Sequence, residues 1–72
     1  MIEFDIRNYG AVADGTTVNT KAIQAAIDDC ALQGGGRVIV NGGVFVTGTI
    51  FMKSDVDLCI EPNATLKASA NT

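Results

Sequence analysis

The stretch NTKAIQAAIDDCALQGGGRVIV, residues 19–40, decides how this chain folds. Between residues 20 and 33 the apolar side chains recur every three or four positions, which places them on one face of a helix. These side chains are Ala22, Ile23, Ala26, Ile27, Cys30 and Ala31. Asn19 is expected to cap the helix, with its side-chain oxygen accepting a backbone N–H of the first turn. Because a helix of about four turns is marginal alone in water, it must pack on the rest of the chain.

A glycine turn and a buried strand follow the predicted helix. Residues 34–36 are all glycine, which ends a helix in the left-handed conformation at little cost and allows a sharp reversal. Residues 37–40 (RVIV) are β-branched and apolar on both faces, so we expect a strand that is covered on both sides.

Short strands are predicted before and after this central stretch. Residues 3–7 alternate between apolar and polar side chains, as in a half-buried strand. Further strands are expected at residues 44–47, 49–52 and 56–60 and from residue 65, with turns between them. The turns include Asp14-Gly15 and Pro62-Asn63, in which Asn63 is able to take the left-handed conformation.

The order of these strands favours a solenoid. Gly48 alone separates two predicted strands, which is too little for a two-residue hairpin loop but suits a strand that turns a corner. The apolar pattern of residues 38–40 recurs at residues 58–60, about one coil of a parallel β-helix later. Such solenoids need at least about three repeats. This chain holds scarcely more than one and a half, so its last coil has an open edge.

Composition limits the domain count and the function. The 72 residues allow one small domain, and the net charge of −3 with scattered basic residues argues against nucleic acid. The same charge argues against tight binding of an acidic polysaccharide by this chain alone. No apolar run approaches the roughly 20 residues of a membrane-spanning helix. Residues 1–5 lack the features of a signal peptide, so the protein is either intracellular or has lost a leader.

Several segments resemble a known superfamily. Residues 8–15 (NYGAVADG), 19–27 (NTKAIQAAI) and 35–40 (GGRVIV) resemble the start of the pectin-lyase-like right-handed β-helix proteins. Residues 43–54 (GVFVTGTIFMKS) and 57–66 (DLCIEPNATL) are similar to the polygalacturonases of glycoside hydrolase family 28. In that family this segment forms an N-terminal helix, which covers the end of the β-helix, and the first coils.

The resemblance also has departures and gaps. Val18 replaces a usual acidic residue, Asn41 a usual proline and Asn63 a usual glycine. The family's catalytic aspartates, its Gly-His-Gly segment and its basic substrate-binding segment come later in the chain, and this sequence contains no histidine. We therefore predict no catalytic, cofactor-binding or metal-binding residue here.

The chain contains three sets of carboxylates that are candidates for chemistry. Asp55 and Asp57 would share one side of a strand at about 7 Å, which suits the acid and base of an inverting glycosidase, but exposed acids at a strand edge are usually only solvated. Asp28 and Asp29 are expected on the polar face of the helix. Asp14 lacks the neighbouring acids of a calcium loop, so it is interpreted as a turn residue.

Other short motifs gave no stronger hypothesis. The glycines at residues 34–36 follow a helix rather than opening one, so they do not form a phosphate-binding loop. Asn63-Ala64-Thr65 is a glycosylation sequon that has meaning only in a secreted eukaryotic protein. Cys30 is expected to be a small buried apolar residue, and a disulfide with Cys59 stays open because it depends on geometry.

The predicted fold class is mainly β: an N-terminal capping α-helix plus the first one to two coils of a right-handed parallel β-helix. Within a single partial domain we expect a strand and loop at 1–18, the helix and glycine turn at 19–36, the coils at 37–68 and a frayed tail at 69–72. By resemblance, the function is that of the N-terminal cap and first coils of a polygalacturonase-like hydrolase, silent in catalysis by itself.

Two alternatives remain. One is a small self-associating β-helix module, or the remnant of a truncated gene, that forms a homo-oligomer through the open edge. The other is a fragment of a phage tailspike-like adhesin, because the opening motif is shared across the wider superfamily. No nucleic-acid, membrane or cofactor partner is expected, and polysaccharide is a partner only of a full-length parent. The compartment is left open, although full-length family members are often secreted or periplasmic.

Overall fold

The computed structural model describes residues 2–69. The elements in chain order are β1 (Glu3–Asp5), a 3-10 helix (Ile6–Tyr9), β2 (Asp14–Val18), α1 (Thr20–Leu32), β3 (Gly36–Val40), β4 (Val44–Thr47), β5 (Val56–Ile60) and β6 (Thr65–Ala68).

The strands form two three-stranded sheets, in the orders β1-β3-β5 and β2-β4-β6. All of the pairings are parallel, and strands that follow one another along the chain belong alternately to the two sheets. Each passage of the chain therefore adds one rung to both sheets, which is the right-handed parallel β-helix that the sequence predicted. The recurring apolar pattern is confirmed in register, since Val38 pairs with Leu58 and Val40 pairs with Ile60.

The core lies between the two sheets and α1. Its largest fully buried side chains are Phe45, Ile6, Ile23, Ile27, Val38, Val40 and Cys30. The predicted apolar face of α1 is confirmed: four of its side chains are buried, and the other two, Ala22 and Ala31, pack against the core. All three apolar residues of β3 are buried as well, so this strand is covered on both faces. Each large apolar side chain buried in this way contributes roughly 1.5–3 kcal/mol.

The turn after α1 depends on its glycines. Gly35 has a φ of 104° and donates its backbone N–H to the Cys30 carbonyl at 2.8 Å, which closes the end of the helix. A Cβ atom on Gly35 would lie 2.6 Å from the Asp55 carbonyl oxygen. Between α1 and β3 the chain lies directly against the turn before β5. It can do so only because residue 35 has no side chain.

Two predicted strands were wrong in extent or in existence. The strand predicted for residues 3–7 ends at Asp5, because the Asp5 carboxylate accepts the backbone N–H of Arg7 at 2.9 Å and so begins the 3-10 helix. Residues 49–52 form no strand, although their side chains favour one. Conversely, residues 14–18 form β2, where only a turn and a lead into the helix were predicted.

Two smaller predictions concern the turns and the tail. Asn63 does not take the left-handed conformation; among the described non-glycine residues only Asp55, with a φ of 65°, does so. Asn63 instead accepts the Gly42 backbone N–H with its side-chain oxygen at 3.4 Å. Of the predicted frayed tail, Ser69 donates its backbone N–H to the Thr47 carbonyl at 2.8 Å, and residues 70–72 lie outside the described residues.

Candidate functional site

Asn19 joins the start of α1 to the coils. It occupies the N-cap position, but the predicted capping bond is wrong, since its side chain makes no hydrogen bond to the first turn of the helix. The side chain is instead buried, where its oxygen accepts the Val12 N–H at 2.8 Å and its NH₂ group donates to the carbonyls of Val12 and Val46 at 3.0 and 3.1 Å. Buried polar groups need hydrogen-bond partners. The backbone of β4 and of the loop that contains Val12 offers this side chain more partners than the first turn of the helix does.

Gln24 holds the segment that was wrongly predicted as a strand. Its side-chain oxygen accepts the Phe51 N–H at 2.7 Å, and its NH₂ group donates to the Phe51 carbonyl at 3.0 Å. The Gln24 side-chain amide thus satisfies both backbone groups of Phe51, as a residue of a neighbouring strand would do. An ion pair between Lys53 and Asp28, at 3.0 Å, joins the same segment to the same side of α1. The loop between β4 and β5 is therefore fixed to the helix by polar contacts, with the Phe51 side chain 70% exposed.

Tyr9 and Asp29 connect the 3-10 helix to α1. The Tyr9 hydroxyl donates a hydrogen bond to a carboxylate oxygen of Asp29. This bond stabilises the neutral phenol beside the carboxylate and raises the pKa of Tyr9 to about 12.

A surface groove of about 400 Å³ lies beside the start of α1. Its lining residues include Tyr9, Thr17 and Lys21, together with small, polar and apolar residues. No carboxylate is among these lining residues, so the groove holds no acid–base pair of the kind that hydrolyses a glycosidic bond.

The candidate carboxylates on the helix make structural contacts. Asp28 accepts a hydrogen bond from Gln24 and pairs with Lys53, and these two contacts lower the pKa of its carboxyl group. Asp29 is occupied by Tyr9. Both acids are thus used to hold other elements on α1, in addition to facing solvent as predicted.

The other candidate carboxylates lie at the start of β2 and around the start of β5. Asp14 accepts the backbone N–H groups of Thr16 and Thr17, at 2.9 and 2.7 Å, and the Thr17 hydroxyl, which holds the pKa of Asp14 well below its ordinary value. Bonds from a side chain to the backbone of the next residues are typical of a turn aspartate, although Asp14 is the first residue of β2. Asp55 and Asp57 are both exposed.

Residues 2–69 contain no candidate metal site, no disulfide and no helix that could span a membrane. No group of three or more His, Cys, Asp and Glu side chains in this part of the chain could hold a metal ion. Cys30 and Cys59 are both free, and burial, followed by the nearby carboxylates of Asp29 and Asp57, raises the pKa of the Cys30 thiol. None of the described helices has the length and apolar character to cross a membrane.

Known proteins share both the sequence and the coil geometry. No protein-family model matches the chain. An exo-poly-alpha-D-galacturonosidase of Dickeya chrysanthemi is 51% identical over 67 residues, which are 93% of this chain and 11% of that protein. The family 28 exopolygalacturonase of Yersinia enterocolitica has 42% identity and a TM-score of 0.87 over 93% of this chain and 12% of its own. This chain is homologous to a segment of the family 28 polygalacturonases.

The polygalacturonase-like segment also has a more distant relative with another activity. Mannuronan C5-epimerase AlgE3 of Azotobacter vinelandii is 37% identical over 62 residues, which are 86% of this chain and 3% of that enzyme. The chain spans no more than 11% of the length of either curated relative.

Proposed function

We propose that this chain serves as the N-terminal cap and first coils of a polygalacturonase-like glycoside hydrolase, and that it supplies no residue to the catalytic centre. The observation that supports this proposal is the 51% identity to an exo-poly-alpha-D-galacturonosidase over 93% of the chain. The substrate class inferred for the full enzyme is a galacturonan, with hydrolysis of its glycosidic linkages.

The packing of α1 explains what such a cap does. Ile23, Ile27 and Cys30 of the helix are fully buried, and α1 contacts β1, β3 and the 3-10 helix. A β-helix without a cover would expose apolar core and unpaired strand edges at its end, which favours association with other chains. The helix supplies that cover, so the role proposed for this segment is the stability and solubility of the catalytic solenoid.

A chimera tests the proposal directly. The homologous segment of the Dickeya chrysanthemi enzyme is replaced by residues 1–69 of this chain, and reducing-sugar release from polygalacturonate is measured together with thermal unfolding. We expect the chimera to keep most of the parent's kcat. A matched chimera with Ile27→Asp, which buries a charge under the helix, is expected to unfold at a lower temperature while its remaining folded fraction keeps the same kcat.

Two results would count against this function. A chimera that is as stable as the parent but inactive would mean that the segment contributes directly to catalysis. Hydrolysis of polygalacturonate by the isolated chain, abolished by Asp55→Asn or Asp57→Asn, would place an active site here.

One observation favours a second candidate function, a small self-associating β-helix module. Strands β5 and β6 are each the last strand of their sheet in the described part of the chain, and no described strand pairs with their outer edges. Such edges recruit further strands.

A further inference from the structure

Residues 48–55, the segment between β4 and β5, run alongside α1 from its first residue to the turn after its end. At one end of the segment the Gly48 N–H donates to the Thr20 hydroxyl oxygen at 2.7 Å, and at the other the Asp55 carbonyl accepts the Gly36 N–H at 3.0 Å. The hydrogen bonds and the ion pair described above lie between these two contacts. The helix and the segment therefore occupy neighbouring rungs of the coil.

The Phe51 ring is held in solvent on the outer surface of the coil. Its neighbour Ile50 packs against the core, whereas the ring is 70% exposed. Both backbone groups of Phe51 are bonded to the Gln24 side chain, so the point from which the ring projects is fixed. In the described part of the chain, the other aromatic side chains are buried or partly buried; they are Phe4, Tyr9 and Phe45.

This exposure is not that of a sheet edge. Further rungs of a solenoid are added along its axis, in the direction in which residues 48–55 follow α1. An outward side chain is perpendicular to that axis, so a following rung would border the ring rather than lie over it. The surface around Phe51 is therefore a property of these coils whether or not another coil follows them.

Two lysines flank this ring. Lys21, Gln24 and Asp28 are spaced by three and four residues, so they lie on one side of α1. Lys53 binds Asp28 at 3.0 Å, is still 50% exposed and has further N–H groups to donate. Lys21 is exposed and has no ion-pair partner among residues 2–69. The two cations are separated by two turns of helix, about 10 Å, with Phe51 between them.

We propose that Lys21, Gln24, Phe51 and Lys53 form a surface, named the Phe51 surface, that binds a short stretch of galacturonan. A galacturonate ring has C–H groups on its faces and a carboxylate at its edge. The C–H groups suit the negative face of an aromatic ring, and the carboxylate suits an ammonium group. One sugar ring lies on Phe51, and carboxylates on either side of it pair with the two lysines. The choice of this polymer rests on the proposed function.

The size of the surface favours a saccharide over a protein partner. Phe51 and Met52, which is 47% exposed, are the large apolar side chains that residues 48–55 expose. A stable protein interface buries about 800 Å² on each partner, far more than two side chains provide. A sugar ring needs only one aromatic face. Because Gln24 already fixes the Phe51 backbone, little conformational entropy is lost on binding.

Titration of the 72-residue chain with trigalacturonate, followed by NMR of its amide groups, tests the proposal. We expect the largest shifts at the Phe51 amide and the Gln24 side chain. The dissociation constant should be about 1–10 mM, because the net charge of −3 opposes an anionic ligand. Phe51→Ala should weaken binding at least about fivefold, and Lys21→Gln about twofold to threefold.

Matched controls separate this surface from other exposed groups. Val12→Ala removes an apolar side chain that is 46% exposed in the loop before β2, and Lys67→Gln removes an exposed cation of β6. Neither should change the dissociation constant by more than about twofold. A neutral galactose trimer has the same kind of ring face but no carboxylate. It should bind more weakly than trigalacturonate at low salt, and the difference should narrow as salt screens the lysines.

The chimera described above provides a second measurement, which does not require the isolated chain to fold. Migration through a native gel that contains polygalacturonate reports binding of the polymer. The chimera with Phe51→Ala should be retarded less than the unmodified chimera, whereas the chimera with Val12→Ala should be retarded equally.

Three outcomes would overturn the proposal. They are a folded chain that shows no shifts up to about 20 mM trigalacturonate, binding that Phe51→Ala leaves unchanged in both the chain and the chimera, and a galactose trimer that binds as tightly as trigalacturonate at low salt. None of them depends on the kcat of the chimera. An inactive chimera would therefore count against the proposed function, and an active chimera without these binding effects would count against the Phe51 surface alone.

Discussion

The Asn19 side chain is 3% exposed, and its hydrogen-bonding groups are directed at backbone atoms of the loop before β2 and of β4. Because the side chain both accepts and donates, neither an apolar residue nor a carboxylate can replace it without leaving buried groups unpaired. This one residue thus fixes where the helix begins relative to the coils.

Asn19→Asp tests that role. The variant keeps the acceptor for the Val12 N–H but replaces the donor by an oxygen that faces the carbonyls of Val12 and Val46. We expect the free energy of unfolding, measured in urea at neutral pH, to fall by about 2–4 kcal/mol. The exposed Asn8→Asp is the control and should change it by less than about 0.5 kcal/mol. Similar small effects at both positions would contradict the proposed role of Asn19.

The glycine turn allows an even closer comparison. Gly34 and Gly35 both have positive φ angles, of 97° and 104°, but a Cβ on Gly34 would meet nothing within 4 Å, whereas one on Gly35 would lie 2.6 Å from the Asp55 oxygen. Gly34→Ala should therefore cost only about 1–2 kcal/mol for the left-handed conformation. Gly35→Ala should cost at least about 2 kcal/mol more, because the turn before β5 must move. Urea unfolding measures both, and equal losses would mean that the close approach is unimportant.

Among the elements, the loop between β4 and β5 depends on Gln24 rather than on a sheet. Gln24→Ala removes both hydrogen bonds to Phe51, so hydrogen exchange of the Phe51 amide should become about tenfold faster, equivalent to roughly 1.4 kcal/mol. Gln33→Ala, at the residue that follows α1, is the control, since the Gln33 side chain makes a long contact of 3.5 Å to Asp29 and none to the loop. Unchanged exchange at Phe51 in the Gln24 variant would show that other contacts hold the loop.

The hydrogen bond between the 3-10 helix and α1 predicts a pH dependence. The pKa of Tyr9 is raised from 10.0 to about 12, so the bond stabilises the folded chain fully below pH 10 and loses its effect as the pH rises to about 12. The wild type should therefore exceed Tyr9→Phe in free energy of unfolding by a constant amount up to pH 10, and the difference should shrink over the next two pH units. A difference that stays constant through this range would refute the assignment.

The elements that the sequence predicted are those with an apolar period. The helix and strands β3 to β5 place apolar residues at regular spacings, and the recurrence of residues 38–40 at 58–60 identified the coil. Strand β2 was not predicted, because Asp14, Gly15 and the two threonines that follow have no apolar period. These residues form a strand because they pair with β4. Residues 49–52 show the reverse case, in which β-forming side chains find no neighbouring strand.

The polar contacts were harder to predict than the strands. The sequence identified Asn19 as the residue before the helix, but not that its side chain turns inward, because that depends on the distant Val46 carbonyl. Gln24 and Asp28 stand four residues apart, a spacing that places both on one side of the helix and was the available signal for the loop contact. Which segment they would hold could be known only once the coil had brought residues 51–53 to that side.

At the scale of the whole molecule, stability has to come from a small core that is covered at one end. The helix lies against β1 and β3, whereas Leu58 in β5 and Leu66 in β6, the two strands of the last described rung, are only half buried. A domain of this size buries a limited share of its surface, so the additional burial at the last rung is a large fraction of what is available. Covering that rung should therefore change the stability of the entire chain and not only the order of β5 and β6.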